Sequence, residues 1–148
     1  MKVSDIMTKE VIAVQADTLI TEVAEIMTRE RIHAVPVIDE GKKVIGIITE
    51  SNFFSKSSPA SLYFPTVIDF MKTGKLYEVG GRDEWREVVK NALAKDIMTT
   101  PCAVVQDSAD AQDFIKLVRE REFTSVPVVN SNAMLVGIVT VADVLKFL

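Results

Sequence analysis

The apolar residues of this chain follow first a helical spacing and then a strand-like one. Between positions 20 and 27 they recur at i, i+3, i+4 and i+7, the spacing that places side chains on one face of a helix. These residues are Ile20, Val23, Ala24 and Met27. Two shorter apolar runs follow at 35–38 and 44–48, and the polar residues 39–42 between them are typical of a turn. The pattern therefore predicts a helix followed by two strands.

Short segments on either side complete this unit. Residues 11–14 are mostly apolar and predict a short strand before the helix. Asp17-Thr18 offers side-chain caps for the N-terminus of the helix. A last short helix is predicted to begin near Thr49. The unit therefore reads strand, helix, strand, strand, helix.

The unit occurs twice, the second copy lying 91 positions after the first. Asp5-Ile6-Met7-Thr8 falls on Asp96-Ile97-Met98-Thr99, Val35-Pro36-Val37 on Val126-Pro127-Val128, and Thr49 on Thr140, without a gap. In the second copy Ser108 stands at the predicted cap, and the apolar helical face consists of Ala111, Phe114, Ile115 and Val118. Such repetition indicates two copies of one structural unit, which we assign to residues 1–54 and 94–148.

Two such small units are expected to share a core. A unit of about 50 residues buries too little surface to be stable by itself. We therefore predict an α+β fold in which two βαββα repeats pack about a pseudo-twofold axis, with a cleft at their junction. A cleft of this kind is where a small ligand would bind.

The connection between the repeats, residues 55–93, is predicted to be a helical insertion. It opens with the loop-like segment 55–59, but it holds five aromatic residues, Tyr63, Phe64, Phe70, Tyr77 and Trp85. Helical spacing recurs over 64–71 and 85–92, so we expect residues 55–73 to be ordered and packed. These helices either cover the core of the repeats or form an interface with a second copy or a client protein.

Composition and charge exclude several classes of function. The chain has 148 residues and a formal net charge of -4, and it has no basic block for nucleic acid to bind as the main partner. No apolar run approaches the ~20 residues that span a membrane, and the N-terminal segment lacks the apolar core of a signal peptide. A cytoplasmic location is therefore expected. The single cysteine, Cys102, excludes an internal disulfide, and its alignment with Val11 predicts a buried, unreactive residue.

The repeated sequence motifs resemble those of the CBS domain, named after cystathionine β-synthase, which occurs in tandem pairs called Bateman modules. The resemblance rests on Asp-Ile-Met-Thr at the start of each repeat, Val-Pro-Val after the first helix, and Gly-x-x-Thr-x-x-Asp, which is complete at 137–143. It covers both repeats but not residues 55–93. It implies an adenosyl ligand (AMP, ADP, ATP, S-adenosylmethionine or a cyclic dinucleotide), a homodimer, and regulation of an unknown client.

The resemblance also implies two ligand sites, one for each repeat. Thr140 and Asp143 are the main candidates, because a threonine hydroxyl can donate to phosphate and a carboxylate can accept from both ribose hydroxyls. The same residues also suit a helix capping box, and the two roles are compatible. With them we group Ile97, Met98, Thr99 and Pro127 as the stronger site. The weaker site would consist of Thr49, Asn52, Ile6, Met7, Thr8, His33 and Pro36.

The two sites are expected to differ because Asn52 stands where the second repeat has Asp143. An amide matches a ribose diol less well than a carboxylate does. His33 would compensate in part by facing ligand phosphates, as would Lys42 and Lys43 if their turn folds toward the cleft. A lone histidine is otherwise usually structural, and Arg31 and Arg121 are further candidates unless they are simply solvated helix ends.

The expected function is non-catalytic sensing of the adenosyl ligand, with an effect on a partner or on an assembly state. No nucleophile–base–acid set, metal-ligand spacing or glycine-rich phosphate loop is visible in the sequence, so neither a catalytic cofactor nor a metal is expected. The alternative is a protein–protein interaction module, or scaffold, that binds no ligand.

Overall fold

The computed structural model describes residues 1–53 and 90–147, and the expectations for 55–89 fall outside these ranges. The first repeat contains a short helix, a short strand, a long helix, two strands and a 3-10 turn. These are α1 (Val3–Ile6), β1 (Val14–Gln15), α2 (Ile20–Glu30), β2 (Ala34–Ile38), β3 (Val44–Thr49) and the 3-10 helix Glu50–Phe53. The second repeat has the same order, with α3 (Ala94–Ile97), β4 (Val105–Gln106), α4 (Ala111–Arg121), β5 (Ser125–Val129), β6 (Leu135–Thr140) and α5 (Val141–Leu145).

Each repeat forms a three-stranded sheet, in the orders β1-β2-β3 and β4-β5-β6. The first strand pairs parallel to the second, and the second pairs antiparallel to the third. The predicted turn between β2 and β3 is present, with Lys42 in the left-handed region at φ 63° and the side chain of Asp39 accepting from the Lys43 N–H. The mixed α/β class and the two repeats are thus as predicted.

Two helix caps and one strand differ from the prediction. Helix α2 begins at Ile20 after Leu19, and Thr18 instead accepts from the Gln15 N–H at 3.0 Å. In the second repeat Asp110, not Ser108, caps α4 by accepting from the Gln112 N–H. Both predictions failed because serine, threonine and aspartate also stabilise turns, and the chain makes a turn before each helix. The strand expected over residues 11–14 is reduced to Val14–Gln15.

The structure exchanges the leading segments of the two repeats. Helix α1 belongs to the first repeat in sequence, yet Val3 and Ile6 lie in the core with Val105, Phe114 and Val128 of the second. Conversely, Ala94 and Ile97 of α3 lie in the core of the first repeat. This exchange binds the two repeats together, so neither core is complete without the other repeat.

Backbone hydrogen bonds hold each exchanged segment in place. Thr8 and Ile138 exchange two bonds at 2.8 and 3.0 Å, and Thr99 and Ile47 exchange two at 2.9 and 3.1 Å. Each leading segment therefore extends the sheet of the other repeat by one bridge beside its third strand. This contact brings the two halves of each cleft together.

Candidate functional site

A cavity of about 440 Å³ lies at the junction of the two repeats. Four hydroxyl side chains reach its wall, one from the first repeat and three from the second. They are Thr8, Thr124, Ser125 and Thr140. Apolar residues form much of the remainder, namely Val11, Ile12, Ile32, Ala34, Ile138, Val141 and Ala142, and the charged or titratable residues at the wall are Glu10, Arg31 and His33. An apolar slot with a few hydroxyls suits a flat base attached to a polar group.

The chain geometry explains why these side chains meet. Thr8 is held beside β6 by its bonds to Ile138. Thr124 is held at the start of β5, because its carbonyl accepts from the Val141 N–H at 3.0 Å. Arg31 ends α2 in the left-handed region, at φ 53°, and this reversal turns residues 31–34 toward the cavity. Both repeats therefore contribute to one wall.

Thr140 and Asp143 form the capping box that their spacing predicts. One carboxylate oxygen of Asp143 accepts from the Thr140 N–H at 2.8 Å and from its hydroxyl at 3.1 Å, and the Asp143 N–H donates to that hydroxyl oxygen at 3.3 Å. Asp143 is 4% exposed. Its other oxygen, Oδ1, lies 3.5 Å from the ammonium of Lys146, a side chain that is largely exposed. A buried carboxylate beside an exposed cation can exchange that cation for another donor.

Thr49 and Asn52 repeat the same local arrangement. The Asn52 carbonyl oxygen accepts from the Thr49 N–H at 2.7 Å and from its hydroxyl at 3.0 Å. The amide nitrogen, however, donates across the junction to the Ile97 carbonyl at 2.9 Å and to the Thr99 hydroxyl at 3.0 Å. Both side chains thus accept two hydrogen bonds from the neighbouring threonine. They differ in their second polar atom, which donates across the junction in Asn52 and faces Lys146 in Asp143.

The structure groups the predicted site residues in crossed pairs. Ile97 and Thr99 lie beside Asn52, and Met98 lies beside Gly46 of the first repeat. The prediction that these three residues lie with Thr140 therefore differs from the structure. Thr8 lies with Thr140 on the cavity wall. The crossing follows from the exchange of the leading segments, which the one-dimensional alignment of the repeats does not contain.

Ile6, Met7 and the two prolines support the cavity more than they line it. Ile6 is 7% exposed in the core of the second repeat, and Met7 lies against Gly137. Pro36 and Pro127 are buried in β2 and β5, where they pair with Ile47 and Ile138 respectively. These residues fix the position of the backbone that surrounds the cavity.

His33 and Arg31 lie at the cavity wall, but Lys42 and Lys43 do not approach Thr49. His33 is highly exposed, and its Nδ1 contacts the Glu50 carboxylate. Lys42 and Lys43 precede β3, at the end of the strand opposite Thr49, and their backbones bond Leu135 and Met134 of the second repeat. The predicted compensation by these lysines is therefore wrong, because the turn leads away from that cleft.

Several cavity residues were not predicted from the sequence. Glu10, Val11 and Ile12 follow the motif at 5–8, and Thr124 and Ser125 precede the Val-Pro-Val motif. Position 124 aligns with His33, so the alignment of the two repeats was the signal that could have identified it. Cys102, expected on a buried strand, lies outside the strands and is half-buried. Burial raises the pKa of its thiol, which favours the unreactive protonated form.

The chain belongs to the CBS domain family, whose model matches residues 3–58 and 94–148. It is 28% identical to the uncharacterized protein MJ1426 of Methanocaldococcus jannaschii, over 100% of this chain and 91% of that protein. It is also 28% identical to the chloroplastic CBS domain-containing protein CBSX1 of Arabidopsis thaliana, but spans only 62% of its length.

Solved structures with this fold include complexes with adenosyl compounds. A crystal structure of CBSX2 in complex with AMP matches with a TM-score of 0.72 and 22% identity, covering 99% of this chain and 94% of that one. The CBS domain pair of protein MJ0100, in complex with 5'-methylthioadenosine and S-adenosyl-L-methionine, matches with a TM-score of 0.70 and 22% identity, covering 99% and 98%. Across residues 1–53 and 90–147, no helix combines the length and apolar composition needed to cross a membrane.

Proposed function

We propose that this chain is a non-catalytic sensor that binds an adenosyl ligand in the cavity lined by Thr8 and Thr140. The observation that carries this proposal is the cavity itself, which lies between the repeats and combines apolar walls with four hydroxyl groups. The family membership and the adenosyl compounds in the structures of CBSX2 and MJ0100 support the same ligand class.

Each part of such a ligand has a matching feature at the cavity wall or directly behind it. The apolar residues at 11, 12 and 138 suit the faces of an adenine ring. Arg31, with His33 and the hydroxyl of Thr8, suits a phosphate group, because charge-assisted hydrogen bonds to phosphate are the stronger ones. Asp143 does not line the cavity but lies behind Thr140, to which it is bonded. Its Oδ1 atom suits a ribose hydroxyl, which would take the place of the Lys146 ammonium.

Binding at this junction gives a physical route to regulation. The ligand contacts residues of both repeats, so it binds best when the repeats hold one particular relative arrangement. A ligand shifts a conformational equilibrium only by its difference in affinity for the two states. We propose that this shift alters the contact with a partner protein or a second copy of the chain.

Thermal unfolding in the presence of candidate ligands tests the proposal. AMP, ATP, S-adenosylmethionine and a cyclic dinucleotide are each added at increasing concentration to the wild-type chain. At 100 times its Kd, a ligand adds about 2.7 kcal/mol to the stability of the folded state, which raises Tm by roughly 5–10 °C for a chain of this size. No shift with any of the four contradicts the proposal and favours the scaffold. Turnover of ATP or AMP would contradict the non-catalytic role.

A further inference from the structure

We infer that Asn52 ties the two repeats together at the first junction, beside Thr99, whereas Asp143 leaves a ligand cleft open at the second. This one amide would therefore limit the two junctions to a single adenosyl site. The ligand part of the inference rests on the proposed function. The bridging part rests on the hydrogen bonds of Asn52 alone. At this position the first junction has the amide of Asn52 and the second has the carboxylate of Asp143.

The hydrogen-bonding capacity of Asn52 is fully used within the protein. An asparagine side chain has two donor hydrogens and one carbonyl oxygen with two lone pairs. The oxygen accepts twice from Thr49, and the nitrogen donates to the Ile97 carbonyl and the Thr99 hydroxyl. A ribose diol could bond this side chain only by displacing a bond to Thr49 or one of the two bonds that connect the repeats.

Asp143 cannot form the equivalent bridge. Its first oxygen repeats the two bonds to the neighbouring threonine, at 2.8 and 3.1 Å against 2.7 and 3.0 Å for Asn52. The leading segments are bonded alike at the two junctions, Thr8 to Ile138 and Thr99 to Ile47, so the Ile6 carbonyl is the counterpart of the Ile97 carbonyl. A carboxylate oxygen and a carbonyl oxygen are both acceptors, and Oδ1 of Asp143 accordingly faces Lys146 instead.

Two reciprocal substitutions follow from this difference. Asn52→Asp removes both donors and places a carboxylate beside the Ile97 carbonyl, which opens the first junction and supplies the diol acceptor. Asp143→Asn supplies two donors to the Ile6 carbonyl and the Thr8 hydroxyl, which closes the second junction. Asn130→Asp is the matched control. Within residues 1–53 and 90–147, the Asn130 side chain bonds through its oxygen alone, accepting from the N–H groups of Asn132 and Met134 in the β5–β6 turn, and a carboxylate can accept both bonds.

Titration calorimetry with AMP and thermal unfolding without ligand test the two halves separately. In the titration, the wild type and Asn130→Asp should bind one AMP per chain, Asn52→Asp two, and Asp143→Asn none. Without ligand, Asn52→Asp should lower Tm by about 4–8 °C, because the Ile97 carbonyl loses its donor and faces a carboxylate oxygen, although the Thr99 hydroxyl can turn to donate to that carboxylate. Asn130→Asp should leave Tm within about 2 °C, and Asp143→Asn should unfold at a higher temperature than Asp143→Ala.

The outcomes separate this inference from the proposed function. If wild type binds none of AMP, ATP, S-adenosylmethionine and the cyclic dinucleotide but Asn52→Asp still lowers Tm, the proposed function fails and the bridge stands. An Asn52→Asp chain that keeps the wild-type Tm contradicts the bridge. One that folds but still binds a single AMP contradicts the inference that Asn52 limits the number of adenosyl sites. If Asn52→Asp does not fold, Asp143→Asn decides: retained AMP binding, or a Tm no higher than that of Asp143→Ala, overturns the inference.

Discussion

The sulfur atom of Met7 lies so close to Gly137 that a Cβ atom built on this glycine would approach it to 2.6 Å. The carbonyl oxygen of Thr8 would be 2.8 Å away from the same Cβ. Met98 and Gly46 form the equivalent contact in the other half, also at 2.6 Å. Each leading segment therefore lies directly on the third strand of the other repeat, at a glycine that leaves room for it.

Gly137→Ala should destabilise the chain and loosen this contact. The methionine side chain can move, but the Thr8 carbonyl belongs to the backbone bridge, so we expect a loss of about 1–3 kcal/mol, as for other overpacked sites. Denaturant unfolding measures the change. Gly41→Ala is the control, since its nearest neighbour would be an ordinary 3.4 Å contact with the Asp39 side chain. Equal stability of the two variants would contradict the close approach.

Asp143→Ala should weaken the tight adenosyl binding event by about ten-fold or more. A charge-assisted hydrogen bond contributes about 1.5–3 kcal/mol, and ten-fold corresponds to about 1.4 kcal/mol. Calorimetric titration with the best ligand measures the change. Asp110→Ala also removes a helix cap, at a cost of about 1 kcal/mol, but Asp110 bonds Gln112, which is not a residue of the cavity wall, so this variant should keep its affinity. If Asn52→Ala abolishes binding while Asp143→Ala preserves it, the assignment of the sites is reversed.

Arg31→Gln should weaken AMP more than it weakens adenosine. The guanidinium at the cavity wall would contact the phosphate and not the nucleoside, so the Kd for AMP divided by the Kd for adenosine should rise by about three- to ten-fold. Competition titrations with the two compounds give this ratio. Arg29→Gln is the control, because Arg29 pairs with Glu25 and Glu30 on the surface of α2. A ratio that is unchanged in Arg31→Gln places the phosphate elsewhere.

We predict that the chain forms a homodimer whose contact comes largely from the helices α2 and α4. Each helix buries one face in its own repeat and presents the other outward, and two similar faces on one chain suit a closed twofold assembly. Light scattering at micromolar concentration should give twice the chain mass. A monomer under these conditions would contradict the prediction.

The sequence alone determined the repeat, its long helix and its two longer strands, but not the short helices α1 and α3. The helical spacing at 20–27 and at 111–118 predicted α2 and α4, because an amphipathic helix must bury its apolar face whatever surrounds it. The Val-Pro-Val motifs predicted β2 and β5, and the Thr-x-x-Asp spacing predicted the capping box of Thr140 and Asp143. These features depend on neighbours within a few residues, so their signal is local.

Only the tertiary structure decided which residues meet across the junction. The alignment of the repeats associates Thr99 with Thr140, since both belong to the second copy, but the exchanged segments bring Thr99 to Asn52 and Thr8 to Thr140. No local sequence feature distinguishes these two arrangements, because the same Asp-Ile-Met-Thr motif begins both repeats. Packing decides between them: Ile6 and Ile97 are each buried in the core of the opposite repeat, and the threonine two residues later is carried there with them.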